Sequence, residues 1–135
     1  MERRKHLWCK REEGQSVVEA ALVIPLLILI LCGIIDFGWI FSNQLTVNNC
    51  SREGVRYAIV NSTASNLLSA VTAKVKAVSG TGDTSNVAVA LQFINSNQDI
   101  TVTVTKTVHV LTPIAGIFVP NQAVTLKSAS TMRVS

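Results

Sequence analysis

The sequence predicts an α+β protein: a long N-terminal transmembrane helix extended into a small extracytoplasmic domain with a second helix and an antiparallel sheet of about three strands. Three observations lead there. Residues 20–35 run without a charge, helical spacing of apolar and small residues follows to about residue 78, and apolar/polar alternation fills much of 87–134. The first segment sets the organisation: 1–14 a charged cytoplasmic leader, 15–41 the membrane-spanning part of the helix, and 42–135 the extracytoplasmic α+β domain.

The span is read from Ala20 to Phe41, 22 residues, with Asp36 the one charge inside it. At about 1.5 Å per residue this reaches roughly 33 Å, the thickness of a hydrocarbon core. Trp39 and Phe41 then fall near the far interface, where aromatic rings are favoured. At that depth Asp36 reaches headgroup water or pairs with a neighbour. Pro25 frees the carbonyl of Ala21 and bends the helix unless a neighbour compensates. Arg3, Arg4, Lys5, Lys10 and Arg11 precede the span and no basic residue follows until Arg52. This bias keeps the N-terminus in the cytoplasm and sends the C-terminal domain outside the cell membrane. A cleaved secretory signal is the competing reading, but no small-x-small site closes the apolar core. Leu31 before Cys32 also does not suit a lipoprotein signal. Glu19 stands out, because a carboxylate at the mouth of an apolar helix is costly.

Beyond the span the helix continues to about Val60, with Val47, Cys50, Gly54 and Tyr57/Ala58 as a narrow stripe of apolar and small residues. Glu53 and Arg56 are three apart and in reach of each other on one turn. Ser62 or Thr63 is expected to cap a second helix near 65–78, with Leu67/Leu68, Val71, Val75 and Val78 on its inner face. The first strand places Val87, Val89, Leu91 and Phe93 on one face, and "NSNQD" reads as a hairpin loop. The second places Ile100, Val102, Val104, Val108 and Val110 on one side and a row of threonines with His109 on the other. Lys106 falls on the apolar side, which predicts a bulge or an edge position. The last strand carries Val124, Leu126, Met132 and Val134 inward. The apolar "LTPIAGIFVPN" between them, bounded by Pro113 and Pro120, reads as a loop or short helical turn.

Function classes can be narrowed. Twelve basic against eight acidic residues give +4, but five of the twelve sit in the leader and no basic stripe with interleaved aromatics exists. Nucleic-acid binding is therefore not expected. Glu19 and Asp36 are seventeen residues apart on one helix, about 25 Å, too far for paired acid/base work. "GTG" and "GDTSN" are turns that lack the lysine of a phosphate loop. No serine sits in a nucleophile elbow. Cys9, Cys32 and Cys50 have no metal-ligand spacing and are read as thiols, with Cys50 the one placed to crosslink another subunit. Neither an enzyme nor a cofactor or metal site is expected.

Two elements carry a family resemblance. "GQSVVEAALVIP" and "REGVRYA", joined by "CGIIDFGWIFSNQLTVNNCS", resemble the TadE-like family of tight-adherence (Flp-type) pilus assembly proteins, whose N-termini look like those of type IV prepilins. The resemblance is strong over residues 14–60, weaker over the closing strands and carried by no motif in 61–95. It implies a prepilin-like leader cut after Gly14 by a prepilin peptidase, leaving Gln15 as the new N-terminus and Glu19 as its fifth residue. It implies that Glu19 neutralises the α-amine of an adjacent subunit, where an unpaired charge in a low-dielectric core costs several kcal/mol. Asp36, Arg52, Glu53, Gly54 and Arg56 match the family pattern and with Glu19 are expected to be assembly contacts. The implied partners are the peptidase, other pilins or pseudopilins, the membrane assembly platform and the lipid bilayer. A domain this large on a pilin-like helix points to a minor pilin or pseudopilin rather than the bulk fibre subunit. The alternative is a single-pass anchor presenting a small β-rich structural or adhesive domain unrelated to pili.

Overall fold

The computed structural model describes residues 6–80, 84–94, 98–113 and 120–134. Two α-helices, α1 (His6–Val60) and α2 (Leu67–Val78), precede three strands, β1 (Val87–Ile94), β2 (Asp99–His109) and β3 (Ala123–Arg133). The strands form one antiparallel sheet in the order β1-β2-β3. Both helices lie on the same face of it, α1 across β2 and β3, α2 beside α1 and against β1. The fold is the long helix, shorter helix and small antiparallel sheet that the sequence predicts.

Helix α1 has 55 residues and, at about 1.5 Å each, is roughly 80 Å long. It begins at His6, so the helix does not start with the apolar segment but continues back through Gly14 into the charged N-terminal stretch. Lys, Arg and Glu are good helix formers, and this charged stretch offers no proline or cap to stop it. From Gly14 to Leu31 every side chain is exposed to the surroundings of the chain, and the apolar window is not buried by the rest of the fold at all. This is the one helix among the described residues long and apolar enough to cross a membrane.

The other half of α1 has one buried stripe. Val47, Cys50, Ser51, Gly54, Val55 and Ala58 face the domain, while Arg52 and Arg56 stay outside. With Val71 and Val75 of α2 and Ile100, Val102 and Val104 of β2 they make a core whose members are almost fully shielded. Fully burying such a side chain stabilises by about 1.5–3 kcal/mol. This core offsets the weak helix propensity of Asn48, Asn49 and Gly54.

The connection between the helices differs from expectation. Asn61 closes α1, its backbone N–H and its side-chain amide both donating to the Tyr57 carbonyl at 3.2 and 3.0 Å. The N-cap of α2 is Asn66 rather than Ser62 or Thr63, and its side chain makes no capping bond. The Ser69 hydroxyl and the Ala70 N–H donate to the Asn66 carbonyl at 2.8 and 3.1 Å. Leu67, Val71 and Val75 are the buried residues of α2, and Leu68 points outward at 51% exposure. Gly80 follows the C-cap with φ +89°, the left-handed backbone that glycine adopts without penalty.

The sheet register runs without interruption from Asp99↔Arg133 to His109↔Ala123, and from Ile94↔Asp99 to Val87↔Lys106. The bulge or edge position expected at Lys106 is therefore not formed: it occupies a regular site on the central strand. What relieves it is that β1 begins opposite Lys106, so β2 beyond this point has no paired strand on that side. On the outer face the Thr101 and Thr131 hydroxyls bond at 2.8 Å across a register pair. The inner residues of β3 alternate as predicted, with Leu126 buried and Val124, Met132 and Val134 half-buried. The hairpin loop 95–97 and most of the apolar 111–121 stretch lie outside the described residues.

Candidate functional site

The chain offers three places where its polar residues are set against the apolar helix. The first is the N-terminal third of α1. Gly14, Gln15 and Glu19 are exposed on a helix that no other element covers. Gln15 and Ser16 lie one turn before Glu19 on the same face, and the sixteen residues after it, Ala20 to Ile35, carry no charge. A Cβ on Gly14 would meet nothing within 4 Å, so packing does not require glycine at that position.

The second is Asp36. It is 6% exposed, although it sits within the long apolar run of α1. Its carboxylate accepts the backbone N–H groups of Leu111 and Thr112, both at 3.1 Å, and the Thr112 hydroxyl. Asp36 thus ties the stretch just after β2 to the helix. The residues that turn the chain out of the sheet gain a charged acceptor for donors that no ladder satisfies. One turn on, the Asn43 side-chain amide donates to the Trp39 carbonyl at 2.9 Å.

The third is the "REGVRYA" turn. Gly54 is buried where α1 crosses both α2 and β2. A Cβ there would stand 2.9 Å from Val75 Cγ2 and 3.1 Å from Val102 Cγ1. Arg52 and Arg56 are exposed and Glu53 half-buried. Glu53, Arg56 and Tyr57 line an open cleft of ≈ 260 Å³ with Lys74 of α2. Of the residues expected as assembly contacts, Asp36 and Gly54 are engaged within the chain, and Glu19, Arg52, Glu53 and Arg56 face outward or a surface cleft. Glu19 and the Arg56 turn are not brought together: 37 residues of one helix, roughly 55 Å, separate them.

Sequence reasoning missed Ser51. It is fully buried where α1 meets β3, its hydroxyl donating to the Asn48 carbonyl at 2.9 Å and lying 3.0 Å from Ser128 Oγ and 2.9 Å from Ser130 Oγ in hydrogen bonds. The signal was present, since the alternation that turns Leu126 and Met132 inward also turns Ser128 and Ser130 inward. Two hydroxyls on an inner face require a polar partner on the helix above them.

Cys50 is 1% exposed, which corrects its expected availability for a crosslink to another subunit. Its thiol approaches the Val75 carbonyl at 3.7 Å, and burial pushes its pKa up while nearby Lys106 pulls in the other direction. Among the described residues no group of three or more His, Cys, Asp or Glu is placed to hold a metal ion.

Residues 14–56 match the family model for TadE-like proteins. Over this part, about a third of its length, the chain is similar to TadE-like proteins. The matched segment runs from Gly14 through Glu19 and Asp36 to Arg56, so it holds every residue expected as a processing site or assembly contact. It ends before α2, and the whole sheet lies outside it. No curated protein and no solved structure matches the chain.

Proposed function

We propose that the protein is a minor pilin or pseudopilin that takes part in assembling tight-adherence pili. In this reading a prepilin peptidase removes residues 1–14, and Glu19 then pairs with the α-amine of a neighbouring subunit. The observation that supports it is that the TadE-like match starts at Gly14, five residues before Glu19, on a helix whose apolar length is left uncovered by the rest of the described residues. A carboxylate held in lipid with no partner from its own chain is unfavourable by several kcal/mol, and a cationic terminus from a second subunit removes that cost.

Helical backbone at Gly14 must open before a protease can take it in an extended form. Glycine lowers the cost of that local unwinding by about 1 kcal/mol relative to alanine, and it places no side chain in the way. Arg52, Glu53 and Arg56 then serve as contacts outside the membrane, with Asp36 and Gly54 holding the surface that presents them. The N-terminus lies in the cytoplasm and the α+β domain on the far side, where it meets other pilins and the assembly platform.

The test compares Glu19→Gln and Arg56→Ala with the unaltered protein at matched membrane level and matched cleavage. Recovery of pilus components in a pull-down, and surface piliation, should fall for Glu19→Gln while the protein stays in the membrane. Arg56→Ala should weaken partner recovery without changing the terminus. Normal piliation by a correctly processed Glu19→Gln protein would remove the carboxylate from this role.

A further inference from the structure

We propose that the cleft between α1 and the end of β2 holds the headgroup of an anionic phospholipid. The cleft is open and encloses ≈ 330 Å³. Trp39, Val108 and Leu111 form apolar walls, and Asn43, Lys106 and His109 supply polar groups. An apolar wall beside a cation and hydrogen-bond donors fits an amphiphile with a negative head, not a purely apolar or purely polar ligand.

Its depth agrees. On the span read from Ala20 to Phe41, Trp39 lies two residues inside the far end and Asn43 two beyond it, each about 3 Å from that end along the axis. The headgroup layer adds roughly 5–8 Å to each side of a hydrocarbon core of about 30 Å. On the opposite side of the same turns Phe37 and Phe41 remain 70% and 54% exposed, their rings stacked with centroids 6.2 Å apart. Exposed aromatic rings at this level are what a membrane interface favours.

Charge decides the class. Lys106 is a half-buried lysine on the otherwise apolar inner face of the central strand, and the end of β1 at Val87 opens the space beside it. No carboxylate among the described residues lines the cleft. Asp36, one turn nearer the membrane than Trp39 and Ile40, has its oxygens turned to Leu111 and Thr112. A phosphodiester gives Lys106 a counter-charge in a partly desolvated place, where a charge-assisted bond is strongest. The proposal rests on α1 spanning the bilayer and not on pilus assembly.

The test uses the full chain carrying Trp8→Phe, so that Trp39 is its one tryptophan, inserted in nanodiscs. Phosphatidylcholine discs are compared with discs containing a rising fraction of phosphatidylglycerol, and a third series adds inorganic phosphate to phosphatidylcholine discs. Trp39 emission should change saturably with phosphatidylglycerol and should not respond to inorganic phosphate. Lys106→Gln should raise the lipid fraction needed by about tenfold, the loss of one charge-assisted bond. Lys106→Arg should keep the response, and Lys74→Gln, distant on α2, should leave it unchanged. Should Lys106→Gln fail to fold by thermal melting, Lys106→Met replaces it and must show the same loss. Equal response in neutral discs, a response reproduced by phosphate, or a folded Lys106 variant with unaltered response would each overturn the proposal. Stable insertion without any phosphatidylglycerol dependence would do so while leaving the membrane span intact.

Discussion

At the scale of single residues, each polar or small group on α1 is defined by which half of the helix holds it. Glu19 has no partner surface among the described residues, whereas Asp36 is engaged by the segment after β2 and Ser51 by β3. Gly54 has a steric role. Substituting alanine gains about 1 kcal/mol of helix propensity, but its Cβ meets Val75 and Val102 inside ordinary contact distance, and overpacking of this kind costs about 1–3 kcal/mol. Gly54→Ala should therefore lower stability by up to about 2 kcal/mol, and Gly54→Val by more. Urea titration of the full chain in detergent micelles, followed by near-ultraviolet dichroism, measures both. Cys50 gives a second residue-level expectation. Its thiol, held above the usual range by burial, should resist alkylation at neutral pH until the domain unfolds. A raised thiol pKa means that the folded state holds its proton longer than the unfolded one. This contribution is complete below the ordinary thiol pKa and is lost as pH rises through it toward the folded value. Stability should thus decline on the alkaline side, and Cys50→Ala should flatten that decline.

At the scale of elements, the sequence carried the helix stripe, the second helix and the three strands, because periodicities of 3.6 and 2 are local properties. What it did not carry are features set by juxtaposition. Lys106 looked like a bulge because nothing in β2 alone tells where β1 begins. Ser62 and Thr63 have good capping chemistry, yet α2 begins at Leu67, the first position whose side chain reaches the core. The start of α1 was hidden because a charged helical leader and a charged irregular leader have the same composition. Asp36 was legible as a carboxylate seeking a partner at the interface, but its partner lies 75 residues on in sequence. That clamp makes a specific prediction. Asp36→Ala should free the N–H groups of Leu111 and Thr112, with a loss of about 1.5–3 kcal/mol for bonds to a charged acceptor. Amide exchange should accelerate first at these two residues, and the β1–β2 pairing should keep its protection. Uniform acceleration throughout the sheet would instead make Asp36 a global determinant.

At the scale of the whole molecule, one helix joins two environments: a bare apolar length with Glu19, and a half-buried length against a small sheet. The basic leader sets the expected direction of insertion. Protease added to intact spheroplasts should digest the domain from about residue 60 onward and spare the leader, and protection of the domain would reverse the topology. The central claim is that this helix is a processed pilin helix and not a permanent anchor for an unrelated β-rich domain. The measurement that reaches it most directly is N-terminal sequencing of the protein purified from cells that contain its prepilin peptidase. The account predicts a chain beginning at Gln15, with the five basic and three acidic residues of the leader removed. A chain still beginning at Met1 in those cells would contradict it.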